Sequence, residues 1–397
     1  MPGKAIICGA SIGGLFAAAA LRKSGWTVDV YERSSVELSG RGAGIVTHPQ
    51  LIDALQAVAA NTEDLGIPVK ARVAIDRLGE EVARLDYHQI VTSWDRLHVI
   101  LRALVPDEHH HLGRIVTGYE QSGNGATVRF ADGGQTSADL VVGADGFRSA
   151  IRGQMQPQVQ PVYAGYVVWR ALTGEAALPK DLVQRLFEQF DFYLPSGTQV
   201  LGYPIAGPDN DLSVGNRRYN FVWYVPYETD VLDDMLTDSD GRRHELSIPP
   251  PLVRDDVLDE IYKRADAVLP LPFREVLKHS ERPFFTPIYD HISPVFAEGH
   301  VALAGDAASV ARPHVGMGVT KAAQDALALA RHLASANVPE ALIAYSQERS
   351  VASQAVHERA QMLGRLMMAK PEKGDNSDGR NNPNLNDIMR LTAIADF

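Results

Sequence analysis

The apolar positions of the first thirty residues fall into short continuous runs that glycine and polar positions separate. Ala5, Ile6, Ile7 and Cys8 form a run of the length of a fully buried strand. It meets Gly9-Ala10-Ser11-Ile12-Gly13-Gly14, a turn whose glycines suit close backbone approach. Leu15, Ala18 and Leu21 then recur on one face of a helix, which Ser24 and Gly25 stop. Val28-Asp29-Val30-Tyr31 reads as a second strand with Glu32 at its carboxyl end.

Strand, tight turn, helix, strand and acid in this order predict a dinucleotide-binding unit. Gly9 makes the turn, Gly14 lets helix and strand close on each other, and amide groups at the helix start attract a pyrophosphate. Ser11 stands where the fingerprint carries its middle glycine; it is small, and its hydroxyl can donate to a phosphate. Glu32 can accept from ribose hydroxyls. A second glycine-dense turn, at 40–45, carries Arg41 and suits a backbone lying against a flat cofactor.

Further along, the period changes. His48 and Pro49 open a helical pattern through Leu51, Leu55 and Val58. Residues 71–92 alternate as antiparallel strands do, and Ser93 is a plausible N-cap for a helix over 94–105 with Arg96 in its first turn. His109-His110-His111 reads as a solvated loop, because consecutive histidines point in different directions and no fourth ligand stands at regular spacing. Residues 126–130 and 136–142 flank Ala131-Asp132-Gly133-Gly134 as a hairpin. The buried run 139–143 ends in Ala144-Asp145-Gly146, which puts a carboxylate at a sheet's carboxyl edge.

From 157 to 283 the texture is antiparallel, with alternating aromatic segments at 163–169, 200–204 and 219–225. Val222 and Tyr224 share one face; Phe221, Trp223 and Val225 share the other, so one packs while the other is free to line a cavity. Residues 232–251 are acidic and proline-ended and read as an exposed excursion. A second buried strand at 301–304 ends in Gly305-Asp306, and Pro313-His314-Val315-Gly316-Met317-Gly318 opens a helix over 319–333. A strand-end carboxylate and a glycine-rich helix start suit a ribityl chain and a flavin ring, whose reduced charge the helix end stabilises. A long helix over 339–368 follows, then a polar tail with an amphipathic piece at 388–397.

Composition narrows the classes. The chain has 397 residues, long for one core, with 45% hydrophobic and 22% charged residues and a net charge of −11. No basic cluster stands out, which disfavours nucleic acid and anionic membrane as partners. Cys8 is the only cysteine, so no intrachain disulfide forms and a reducing compartment is expected. The amino terminus imitates a secretion signal, but the glycine–serine turn explains that run better, and no other run reaches transmembrane length. A cytoplasmic location is the expectation.

These features together resemble the single-component FAD-dependent aromatic hydroxylases, the family typified by para-hydroxybenzoate hydroxylase. The likeness spans 1–370 and rests on the glycine turn with Glu32, on 139–146, and on Gly305-Asp306-Ala307-Ala308 with Pro313, Gly316 and Gly318. It implies a Rossmann-like α/β FAD domain over 1–70, 96–156 and 283–370. A mainly antiparallel substrate domain takes 71–95 and 157–282, and 371–397 is a C-terminal tail. Carried over, FAD contacts fall on Gly9, Ser11, Gly13, Gly14, Glu32, Arg33, Asp145, Gly305, Asp306, Gly316 and Gly318. Arg41 and Arg96 match arginines that meet FAD phosphates or the pyridine nucleotide. The segments 163–170, 203–205 and 311–314 are similar to the branch that hydroxylates dihydroxypyridines. One departure is Ser309, where the family usually has a histidine; here a histidine stands at 314 instead.

The implied activity is hydroxylation of a small electron-rich aromatic ring through a flavin hydroperoxide, with NAD(P)H and molecular oxygen as co-substrates, FAD as cofactor and no metal. A ring hydroxyl has to be deprotonated or hydrogen-bonded, and the candidates for that site are His48, Tyr203, Tyr224 and His314, with Pro313 beside it. A homodimer is left open. Rival readings are an epoxidase or halogenase on the same scaffold, or a nicotinamide dehydrogenase, which leaves Asp306 and 313–318 unexplained.

Overall fold

The computed structural model describes residues 2–38, 44–368, 382 and 385–392. Its amino-terminal unit follows the hydrophobic pattern closely. Lys4–Cys8 is a strand, Ile12–Lys23 a helix and Thr27–Tyr31 a strand. The two strands pair in parallel, Ile6 beside Asp29, and on the other side Ile6 lies beside Val141 of Leu140–Gly143. A six-stranded sheet runs in the order Ala297–Glu298, Val301–Leu303, Leu140–Gly143, Lys4–Cys8, Thr27–Tyr31, His110–His111. Its central strands are buried on both faces, as continuous apolar runs require. The helices Ile12–Lys23 and Gly318–Leu333 pack together beside it.

A second, nine-stranded sheet runs Ser309–Val310, Phe284–Ile292, Val162–Gly174, Arg218–Pro226, Gln199–Ile205, Gln189–Tyr193, Ile67–Ile75, Glu81–Ser93, Gly44–Val46. It is antiparallel except where Gln189–Tyr193 lies parallel to Ile67–Ile75. Its strands therefore come from more of the chain than 71–95 and 157–282. Alternation divides its faces. Phe221, Trp223 and Val225 pack under the helices Lys180–Leu186, Asp255–Val268 and Leu271–Lys278. Tyr166, Val168, Val222 and Tyr224 face the helix Val338–Met367 and the short helix Leu385–Leu391. Arg72, fully buried, ties that last helix down by donating to the carbonyls of Met389 and Thr392 and to Gln89.

Three local expectations need correction. The segment 136–142 is not one strand. Gln135–Ala138 closes a small sheet with Gly125–Phe130, and Leu140–Gly143 then joins the parallel sheet. The break falls at Asp139, whose carboxylate accepts from the Lys4 amide at 2.7 Å. The histidine triplet is not a solvated loop: His110–His111 is the edge strand beside Val30–Tyr31, and His110 is buried. His109 Nδ1 and His111 Nε2 lie 2.9 and 3.3 Å from Asp29 Oδ1, and His111 stacks on Tyr31. Finally, 232–251 is not an excursion throughout. Thr229–Met235 is helical, and Leu232, Met235, Leu236 and Ile248 enter the core beneath the second sheet. No helix among the described residues is long and apolar enough to cross a membrane.

Candidate active site

The strand–turn–helix at the amino terminus closes backbone on backbone. Gly9 has φ +108°, and a Cβ there would strike the Ala144 carbonyl. A Cβ on Gly14 would strike the carbonyl of Gly9, so only glycine lets the helix start this near the strand. Ser11 occupies the N-cap position, but its side chain bonds no helix amide and instead lines a cavity of about 360 Å³. Glu32 is buried: Oε2 accepts from the Ala10 amide and Oε1 from the Ser34 amide, both at 2.9 Å. The visible work of the acid is therefore to fasten the turn to the strand end. Arg33, next to it, is exposed.

Not every expected contact residue reaches that cavity. Asp145 turns its carboxylate onto the start of the helix Ala150–Met155, accepting from Ser149 Oγ at 2.5 Å and the Ala150 amide at 2.7 Å. Burial pushes its carboxyl up, against those hydrogen bonds. Its neighbours Ala144 and Gly146, not Asp145 itself, line the cavity. Arg96 lies in the first turn of the helix Trp94–Arg102, where Ser93 caps its amide at 3.1 Å, and its guanidinium donates to the Glu63 carbonyl. Arg41 lies outside the described residues.

Across the cavity from Ser11 and Gly13 stands the Gly305-Asp306 turn. Gly305 has φ +60°, and a Cβ there would come within 3.9 Å of the Gly13 Cα, so two glycine backbones face each other. A buried charge cluster holds this turn. Asp325 Oδ2 accepts from the Gly305 amide at 3.0 Å, and Lys321 Nζ donates to the Gly305 carbonyl at 2.9 Å. Arg349, from the long helix, donates to Asp325 Oδ1 at 2.7 Å, and the Tyr345 hydroxyl donates to the Leu303 carbonyl at 2.7 Å. Asp306 is accessible from the cavity; the surrounding protein raises its carboxyl and Lys321 pulls it back. Pro313, Gly316 and Gly318 line the same space, Gly316 with φ +65°, and the helix that follows has no side-chain cap.

The third wall is the face of the nine-stranded sheet. Tyr203 lies under Gly44, where a Cβ would sit 2.6 Å from its ring, and stacks on Phe190 with centroids 4.7 Å apart. Tyr224 is next to it, its ring centroid 4.5 Å from that of His314. Burial pushes the Tyr203 hydroxyl well up and that of Tyr224 up to about 12, although nearby Arg170 opposes both. His314 is fixed on both sides. Its Nδ1–H donates to Gln199 Oε1 at 3.1 Å, so Nε2 accepts from the Tyr166 hydroxyl at 2.7 Å. Burial, with Arg312 nearby, drives its pKa down to about 3, and the ring is neutral. Arg312 is paired with Asp290 at 2.7 Å. His48 does not line the cavity: it is fully buried, with Nδ1 2.8 Å from Thr320 Oγ1.

Sequence reasoning missed Arg170, Tyr166 and Gln199 on the sheet face, and Lys321, Asp325 and Arg349 behind the glycine turn. The alternation of 162–174 already placed Arg170 on the same face as Tyr166. Lys321 and Asp325, four apart on a helix, look like a surface ion pair until Arg349 is brought against them from another helix.

FAD fits what these residues offer. Two helix starts without side-chain caps, two glycine backbones face to face and one strand-end carboxylate border a single cavity, the needs of a diphosphate and a polyol. Comparison with known proteins agrees. Residues 163–290 match the family described as FAD binding domain-like, and residues 286–360 match the FAD binding domain family. The chain is 33% identical to 2,6-dihydroxypyridine 3-monooxygenase of Paenarthrobacter nicotinovorans over 82% of this chain and 81% of that one. It is 30% identical to a FAD-dependent urate hydroxylase of Klebsiella pneumoniae over 87% of this chain and 85% of that one. The solved 2,6-dihydroxypyridine-3-hydroxylase from Arthrobacter nicotinovorans superposes with a TM-score of 0.87 at 30% identity, covering 95% of this chain and 96% of the other. Family, fold and the geometry of the cavity converge: the chain belongs to the single-component FAD-dependent aromatic hydroxylases, monooxygenases that consume NAD(P)H.

Proposed function

We propose that the ring hydroxylated here is a small planar hydroxypyridine or a related phenol. The observation that carries this reading is the shape of the third wall. Tyr203, Tyr224, Val222, Leu201 and Phe190 form a flat, mostly aromatic floor, and it opens onto the same cavity as Asp306 and the two helix starts. Flat apolar walls with a few polar groups suit a small planar ring. The named relatives that act on pyridine and purine rings support the same class.

When bound, FAD supplies the redox chemistry, taking electrons from NAD(P)H and delivering oxygen to the ring. The chain's own residues divide the rest. Gly9, Ser11, Gly13 and Gly14 bring amides and one hydroxyl to the pyrophosphate, Glu32 holds that turn and reaches the ribose, and Asp306 takes ribityl hydroxyls. Gly305, Pro313, Gly316 and Gly318 shape the edge along which the flavin ring lies. Arg33 and Arg41 are assigned to phosphates of FAD or of the pyridine nucleotide, while Arg96 holds the Glu63 carbonyl and Asp145 the start of the helix Ala150–Met155. His314 walls the substrate position and orients Tyr166; with both ring nitrogens engaged it positions rather than takes up a proton. Tyr203 and Tyr224 stack on and hydrogen-bond the ring. His48 acts from behind the wall, through Thr320 of the flavin-side helix.

The test is a panel of hydroxypyridines, phenols and benzoates assayed for NAD(P)H consumption with product analysis. Hydroxylated product from a hydroxypyridine or phenol is the expected result. Oxidation of NAD(P)H without an oxygenated product from any member, or no stimulation by any of them, overturns the reading.

A further inference from the structure

The cations around the ring chamber differ in one respect. Arg312 is held by Asp290, and Arg72 by carbonyls of the last helix and by Gln89. Arg170 lies midway along the strand Val162–Gly174, half-buried, on the cavity side of the sheet. Among the described residues its guanidinium makes no hydrogen bond and no ion pair, although its backbone pairs with Val222 and Phe284. It is close enough to Tyr203 and Tyr224 to oppose the upward shift of both hydroxyls.

Two side-chain amides on this face of the sheet have donors to spare. Asn220 Oδ1 accepts from the Gly44 amide at 3.1 Å, and Gln199 Oε1 accepts from His314 at 3.1 Å. The amide nitrogens Asn220 Nδ2 and Gln199 Nε2 are buried and have no partner among the described residues. Both are donors. Among the described residues, the ionisable ones bordering the chamber besides Arg170 are Tyr203, Tyr224, His314, Arg312 and Asp306. Of these only Asp306 is an acid, and it stands at the glycine turn, where Lys321 and Arg152 act on it. The tyrosines hold their protons, and both nitrogens of His314 are occupied. Among the described residues no counter-charge stands beside this half-buried guanidinium, and none of the side chains bordering the ring end of the chamber is free to take a proton from a ring hydroxyl.

We infer that Arg170 receives the substrate as its ring oxyanion, so that the protein selects a hydroxyheteroarene already ionised in water. The O–H bond breaks outside the chamber: the proton goes to water or buffer, and the electron pair stays on the oxygen and delocalises into the ring. No redox change is involved. The anion supplies Arg170 with its missing partner, and the same negative charge raises the electron density of the carbon to be hydroxylated. This inference rests on the proposed ring substrate and adds to it the form that binds. It favours acidic heteroarenols over phenols, which are neutral near pH 7.

The test uses holoenzyme, wild type and the variants Arg170→Gln and Arg170→Lys, without NAD(P)H and without oxygen. Dissociation constants for 2,6-dihydroxypyridine and for 2,6-dimethoxypyridine, which cannot ionise, are read from the flavin absorbance between pH 5.5 and 8.5. For the wild type, affinity should follow the ionised fraction of the hydroxylated ligand, and the methoxy compound should bind at least tenfold more weakly. Arg170→Gln should weaken the ionised ligand by roughly ten- to a hundredfold, the range for a charge-assisted hydrogen bond, and flatten the pH profile. Arg170→Lys should keep part of both, with FAD content unchanged in either variant. Unchanged affinity and slope in Arg170→Gln overturn the inference. So does loss of FAD with ligand affinity intact, since the guanidinium would then serve the cofactor. A wild type that binds the hydroxylated and methoxy compounds equally overturns it while leaving the ring substrate standing. A wild type whose NAD(P)H oxidation no aromatic stimulates overturns the proposed function, and this inference with it.

Discussion

Asp325 is the residue on which the flavin-side turn depends most, and its removal has a calculable consequence. The carboxylate is fully buried and serves three donors: Arg349 Nε at 2.7 Å, the Gly305 amide at 3.0 Å and Lys321 Nζ at 3.4 Å. The side chains of Lys321 and Arg349 are only 2% and 7% exposed, so neither can turn to water when its partner disappears. In Asp325→Ala two buried cations lose the carboxylate they share, and the Gly305 amide loses its acceptor. Breaking a buried pair in this way costs about 3–5 kcal/mol, most of it the penalty for the charges left behind. Part of that loss is local, because Lys321 also holds the Gly305 carbonyl and Asp306 is the next residue. If the whole cost fell on the FAD-competent turn, affinity for FAD would fall by roughly two to three and a half orders of magnitude.

The assay is the flavin retained after dilution and gel filtration, together with the urea midpoint of the holoenzyme. Asp325→Ala should lose most of its FAD and unfold at lower urea, and Asp325→Asn, which keeps an acceptor but no charge, should fall between. The double variant Asp325→Ala/Arg349→Met should recover part of the loss, because it removes one of the stranded cations. An Asp325→Ala protein with parental flavin content and midpoint would refute the reasoning, and a double variant worse than the single would refute its electrostatic part.

Two further outcomes follow from groups elsewhere in the sheet. Asp191 is fully buried, and burial pushes its carboxyl up to about 7 although Gln189 and the Tyr219 hydroxyl donate to it. Between about pH 4 and 7 the folded chain keeps a proton that the unfolded chain has lost. Stability therefore falls as pH rises through that window, by at most ~1.4 kcal/mol per pH unit from this group. Asp191→Asn should remove that slope in urea midpoints compared at pH 5 and pH 8; equal slopes in both proteins would sink the argument. At Gly44 a Cβ would sit 2.6 Å from the Tyr203 ring and 2.8 Å from Asn220 Cγ. Gly44→Ala should push Tyr203 off Phe190 and lower kcat/KM roughly ten- to a hundredfold, as overpacking by about 1–3 kcal/mol does. An unchanged kcat/KM at full flavin content would show that Tyr203 has no part in binding the ring.

What the sequence disclosed and what it hid differ by range. The unit over residues 4–32 was legible because its chemistry is local: Gly9 and Gly14 are needed by a turn and a helix that adjoin them. Gly305-Asp306 and Pro313 to Gly318 were legible for the same reason, as a strand end and a helix start. The split of Val222 and Tyr224 from Phe221, Trp223 and Val225 also held, because a strand's period does not depend on its neighbours. The histidine triplet failed because its partner, Asp29, lies eighty residues earlier and only the parallel pairing with Val30–Tyr31 brings it near. His48 opens its helix as the local pattern indicates, but its burial against Thr320, 272 residues later, has no local signal. The Asp325 cluster needs two helices and a turn, and no local pattern marks it.

That division by range also explains how one cavity reads two ligands. Phosphate and polyol recognition falls to backbone amides, glycine turns and helix starts, which side-chain substitution on the surrounding helices leaves largely in place. On the proposed reading, ring recognition falls to every second residue of the strands Val162–Gly174, Gln199–Ile205 and Arg218–Pro226, where each inward position can change without moving its neighbours. Few residues belong to both ends. Gly44 lines the cavity while its amide donates to Asn220 and its missing side chain makes room for Tyr203. His314 stands in the turn that opens the flavin-side helix while bonding Tyr166 and Gln199 of the ring-side sheet. At 33% identity to a dihydroxypyridine monooxygenase, and with a shared fold, differences in substrate should therefore concentrate on the sheet face, at positions such as Arg170, Gln199 and Tyr203. If the proposed site is right, the residues that join the two ends are constrained twice, and a change at Gly44 or His314 should alter both FAD retention and ring affinity.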